Sequence, residues 1–90
     1  MNIDYTVQIW REGDQCIAHA MPLNVASSGA TPDDARHAVD EAVRGFLATC
    51  AEMGTLEEVL EEAGYRRGAD GNWACPQWVA IERREAPVAA

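Results

Sequence analysis

Two histidines, three cysteines and four pairs of adjacent acids are the side chains of this chain with chemistry to offer. A histidine acting as general base needs a nucleophile or a carboxylate within hydrogen-bond reach. His19 falls inside an alternating, strand-like run and His37 on the polar side of a helical one, so both read as structural or solvated residues. Cys16, Cys50 and Cys75 are too widely spaced for a metal knuckle, and their number is odd for a disulfide framework. Each sits in an apolar context, where a free cysteine behaves as a small hydrophobe. The acid pairs Asp33–Asp34, Asp40–Glu41, Glu57–Glu58 and Glu61–Glu62 would hold a divalent cation only if they converged, and none has EF-hand spacing. On helices such residues cap ends and solvate faces. "GADG" (68–71) lies in a turn ahead of a strand, which is the wrong context for a phosphate loop.

The elements that must position these groups follow from periodicity. Ile3, Tyr5, Val7 and Ile9 alternate with Asp4, Thr6, Gln8 and Trp10, the pattern of a half-buried strand over residues 3–10. "REGD" (11–14) is a turn, "QCIAHAM" (15–21) a second strand, and Pro22 its end, because proline donates to no ladder. A short third strand is expected over residues 23–27. Thr31 then supplies an N-cap and Pro32 a first helical residue, with Asp33 and Asp34 at the positive end of the dipole. Ala35, Ala38, Val39, Ala42, Val43, Phe46, Leu47 and Cys50 form one apolar stripe, so a long helix is expected to run to about Met53 and stop at Gly54. Thr55 and Glu58 stand at capping-box spacing for a second, short helix closed by Gly64. "RRGADGN" (66–72) reads as a loop and residues 73–83 as a last strand, which Pro76 confines to an edge or a bulge.

The order β-β-β-α-α-β makes an α+β, two-layer domain: a small antiparallel sheet packed on one long helix. One domain is expected over residues 1–85, with a frayed tail at 86–90 and no carboxy-terminal DNA-binding domain. Ninety residues support one modest core, burying about 60–65% of the surface the unfolded chain exposes. The formal charge of −8, from fifteen acids against seven arginines and no lysine, disfavours direct binding to a nucleic acid backbone and favours a basic partner. No apolar leader stands at the amino terminus and no run approaches a membrane span, so a reduced cytoplasmic location is expected.

Two features remain as candidate contacts. Glu57, Glu58, Glu61 and Glu62 make a dense negative patch suited to a basic partner. Trp10 lies opposite the apolar side of its strand, where it either covers the far face of the sheet or anchors a protein interface, and Trp78 presents the same choice. No catalytic, cofactor-binding or metal-binding residue is assigned.

The ordered set of pieces resembles the HicB family of bacterial antitoxins. The matching residues are Tyr5 and Val7 in the first strand, Gly13 and Asp14 in the hairpin turn, and Pro22 at the end of strand two. Gly29 and Thr31 precede the helix, Asp34–Ala35 fall in its first turn, and Ala42–Val43 follow. "GTLEEVLEEAGY" (54–65) looks like the second helix of stand-alone members. The resemblance implies a partial ribonuclease-H-like fold without catalysis, a dimer or larger assembly, and neutralisation of a HicA-type toxin, a small basic protein that cleaves messenger RNA. Two departures matter. "LNVASS" (23–28) lacks the Pro-Gly-Cys turn common in the family, and too few residues follow the last strand for the DNA-binding domain through which many members repress their own operon. The reading is therefore an antitoxin-like protein-binding domain. Its alternatives are an orphan interaction module of the same fold and a divergent metal-dependent nuclease.

Overall fold

The computed structural model describes residues 2–89, so the ends of the expected domain and tail at Met1 and Ala90 lie outside the described residues. Its elements are β1 (Thr6–Glu12), β2 (Gln15–Met21), β3 (Val25–Gly29), α1 (Pro32–Met53), α2 (Leu56–Glu62), β4 (Arg66–Arg67) and β5 (Trp73–Ala74). β1, β2 and β3 form an antiparallel sheet in that order. The fold is α+β, with the expected sequence of sheet and helices.

The β1–β2 register pairs Glu12 with Gln15, leaving a two-residue loop in which Gly13 takes φ 60°. That conformation suits glycine, and the hairpin closes tightly. β2 ends at Met21 as Pro22 requires. The chain then turns at Asn24 (φ 61°), whose N–H donates to the Ala20 carbonyl at 2.8 Å. This turn delays the third strand to Val25–Gly29, two residues later than residues 23–27. Likewise β1 starts at Thr6 and not at Ile3, because β2 offers no partner past Met21; Ile3 instead makes an isolated parallel bridge with Trp73.

α1 forms as its sequence dictates. Thr31 is extended (φ −128°, ψ 162°), its Oγ1 accepts the Asp34 N–H at 3.1 Å, and Pro32 opens the helix. Gly54 at φ 72° ends it, with Gly54 N–H bonded to Ala51 O and Thr55 N–H to Cys50 O. These two bonds satisfy carbonyls that the helix end would otherwise leave open. They also explain why the expected capping box on α2 is absent. Thr55 is occupied in closing α1, and its Oγ1 donates to the Cys50 carbonyl at 3.3 Å, so α2 has no side-chain cap.

The core is a seam of small side chains. Cys16, Ala18 and Ala20 on the inner face of β2 meet Ala35, Val39 and Val43 of α1, every one at most 2% exposed. Small residues on both sides let the helix approach the sheet closely. Gly29 marks the tightest point: a Cβ there would stand 2.6 Å from the Asp34 Cβ. Two tyrosines tie the first residues of the chain to this core. Tyr5 Oη donates to Asp40 on α1 at 2.5 Å, and Tyr65 Oη donates to the Asp4 carbonyl.

The region after α2 departs most from expectation. The strand over residues 73–83 is only Trp73–Ala74, and it pairs with Arg66–Arg67, inside the segment that reads as a loop. Pro76 has no N–H to extend the ladder. Residues 75–89 carry no regular structure, and from Gln77 to Ala89 all are exposed.

Candidate functional site

The six expected contact residues separate into two surfaces. Glu57, Glu58, Glu61 and Glu62 all lie on the solvated side of α2, while Leu56 and Leu60 turn inward. Only Glu57 has an ion-pair partner among the described residues, Arg67 at 2.6 Å. Arg67 in turn stacks over Trp73, 5.2 Å from the ring centroid. Glu58, Glu61 and Glu62 have no such partner. Glu61 and Glu62 also end a helix with no basic residue in its last turn, and Glu52 ends α1 in the same way. Carboxylates at the negative end of a helix dipole are electrostatically unfavourable. Among the described residues the charge of the ridge is thus offset at Glu57 alone.

The second surface is on the sheet. Trp10 pairs with Ile17 across β1 and β2, on the face turned away from α1. It is 39% exposed, its Nε1 donates to Glu12 at 3.1 Å, and its ring meets the His19 ring edge-on at 6.2 Å. His19 is further held by Asn24, 2.6 Å from its Nε2. The segment after Pro76, here called the strap, runs beside β1. Trp78 and Ile81 face Thr6, Gln8 and Met21 across one groove, and Ile81 and Arg83 face Gln8 and Trp10 across a second. Trp78 is 45% exposed and Ile81 70%. The two tryptophans therefore share one surface, lined by β1, β2 and the strap and by no residue of α2. Trp73, by contrast, is core at 5% exposure, and its buried Nε1 lacks a partner among the described residues.

The remaining chemistry-bearing groups take structural positions. His37 is exposed on α1. Cys16 and Cys50 are buried, and Cys75 is half-buried just beyond β5 instead of inside a strand. No group of three or more His, Cys, Asp or Glu side chains among the described residues is arranged to hold a metal ion. Among the described residues no helix is long and apolar enough to cross a membrane.

Sequence reasoning did not find the tyrosine clasps. Burial, and then the Asp40 carboxylate, push the Tyr5 hydroxyl up to about 12. Burial and then Cys75 do the same for Tyr65. Both hydroxyls are donors that stay protonated, which suits a clasp and not a base. Their partners lie far away in sequence, and no local pattern announces them.

Set against family models, curated proteins and solved structures, the chain matches none of them.

Proposed function

We propose that this chain is a non-catalytic, antitoxin-like binding domain of the HicB type that neutralises a small basic toxin of the HicA type, a messenger-RNA-cleaving protein. The observation that carries this reading is the ridge on α2. Four exposed glutamates crowd a seven-residue helix, two of them at its negative end, and one arginine offsets one of them. An excess of acid that the described residues leave mostly unpaired is a field for a cationic partner, and such a field speeds association and sets orientation. Masking a ribonuclease needs a complementary surface over its basic RNA-binding face and no bond making in this chain. The remaining support is the order of the elements, a three-stranded antiparallel sheet followed by a long capped helix and a short one.

The test is inhibition of RNA cleavage. The partner to use is a purified basic ribonuclease of the HicA type, assayed on messenger RNA. The full chain is expected to suppress cleavage at equimolar ratio, and Glu57→Gln/Glu58→Gln/Glu61→Gln/Glu62→Gln is expected to lose most of that suppression while keeping its helical signal. Undiminished inhibition by the fourfold variant would remove the ridge from the account. RNA cleavage by this chain itself, stimulated by Mg²⁺, would replace the reading with the nuclease alternative.

A further inference from the structure

β1 is an edge strand, since the sheet runs β1, β2, β3. Its two-residue hairpin closes on the Glu12–Gln15 pair, so Glu12, Trp10, Gln8 and Thr6 exchange backbone hydrogen bonds with β2. The residues between them, Val7, Ile9 and Arg11, therefore turn their N–H and C=O groups toward the open edge. Among the described residues no other strand pairs with β1 there, and the strap runs alongside without taking up those groups.

Two grooves follow one another along this edge. Val7, Met21, Trp78 and Ile81 wall the first, which holds about 260 Å³. That is below the range of about 300–1,000 Å³ for small-molecule pockets, and it suits one large apolar side chain. Ile9, Trp10, Ile81 and Arg83 border the second. The acids beside it are already engaged: Glu12 accepts the Trp10 Nε1 proton at 3.1 Å, and Glu82 is paired with Arg84 at 3.5 Å. Arg83 has no ion-pair partner among the described residues, nor has Arg11 at the far end of the edge. In a chain of formal charge −8, these free guanidinium groups offer a carboxylate a place that the ridge on α2 would deny it. Val7 and Ile9, one in each groove, stand two residues apart, the interval at which side chains of an extended chain return to one face. A free ladder, an apolar socket and a cation at strand spacing are what a sheet edge needs to take in an extended peptide.

We propose that the free edge of β1 and the strap form a slot for an extended peptide segment of a partner protein. The segment pairs with the Val7, Ile9 and Arg11 backbone, seats an apolar side chain between Met21, Trp78 and Ile81, and sets a carboxylate two residues away beside Arg83. The proposal stands apart from the antitoxin reading, whose carrying observation is on α2.

The probe is the peptide Ser-Leu-Thr-Glu-Thr-Ser carrying a neutral fluorophore, titrated with the full chain by fluorescence anisotropy, with amide exchange followed by NMR. Saturable binding is expected, with new protection at the Val7, Ile9 and Arg11 amides and none added at Gln8 and Trp10, which already bond to β2. Replacing the peptide's leucine by serine is expected to weaken binding by about tenfold or more, and N-methylation of its backbone to abolish it. Arg83→Glu is expected to weaken binding of this peptide about fivefold and to bind better a peptide with lysine in place of glutamate. Such a reversal of preference does not arise from misfolding of the variant. A peptide that does not bind, or a charge preference that does not reverse, would overturn the proposal. So would edge amides already protected in the free chain, whether by the strap at every concentration or by a second copy as concentration rises.

Discussion

The two sides of the sheet are built on opposite terms. Toward α1, β2 presents Cys16, Ala18 and Ala20, all closed from solvent and opposed by side chains as small as themselves. Away from α1, the same sheet presents Trp10, Ile17, His19 and Met21 beneath a strap that adds Trp78 and Ile81 without pairing to β1. The first side leaves no room for a ligand; the second is open, aromatic and incompletely covered. Close packing of small residues fixes a scaffold, and large residues left at a surface serve recognition. The same split separates the buried side of α2, led by Leu60, from its four glutamates. The proposed contacts all lie on the outer faces, and the helix–sheet seam holds those faces in place.

Substitutions can break this contrast. The largest loss is expected from Leu60→Ala, which empties a fully buried site and should lower stability by about 2–5 kcal/mol in denaturant titration. The matched change on the open side, Val79→Ser at 93% exposure, should stay within about 0.5 kcal/mol in dilute solution. Equal effects at the two positions would erase the distinction. Gly29→Ala is next, because its added methyl would meet the α1 backbone and Asp34 Cβ. Overpacking of this kind destabilises by about 1–3 kcal/mol.

The tyrosine clasps give a pH dependence with a defined sign. Both hydroxyls are raised in the folded chain from 10.0 to about 12, so folding favours their protonated forms. Their stabilisation is complete below pH 10 and is lost as the pH rises towards about 12. Thermal melts should fall across that window, and Tyr5→Phe and Tyr65→Phe should each flatten the fall. The smallest effect runs the other way. Glu61→Lys places a cation at the negative end of α2 and should raise stability by about 0.3–1 kcal/mol while weakening capture of a basic partner. A variant that is both more stable and a better binder would contradict the role given to the ridge.

The scaffold side of the comparison was the part most open to reading from sequence. Thr31, Pro32 and Gly54 announce both ends of α1, and the stripe from Ala35 to Cys50 names its buried face. The hairpin follows from alternation and Gly13. These signals are local, so a single chain segment contains them. The alternation after Trp73 also reads as a strand, yet a strand exists only where a partner edge pairs with it. Past Ala74 none does, so the segment becomes a strap. The clasps Tyr5–Asp40 and Tyr65–Asp4 span 35 and 61 residues, a separation that no window of periodicity reaches. Of the candidate contacts, the glutamates follow from helical spacing alone, whereas the shared surface of Trp10 and Trp78 depends on where the strap runs.

The central claim is that partner recognition resides on the α2 ridge and leaves the packed seam unchanged. Amide hydrogen exchange of the full chain, alone and saturated with a basic ribonuclease of the proposed HicA type, tests it most directly. The account predicts new protection over Leu56–Glu62 and the adjoining end of α1, with the β2 amides equally slow in both states. Protection confined to other segments, with Leu56–Glu62 exchanging as in the free chain, would contradict it.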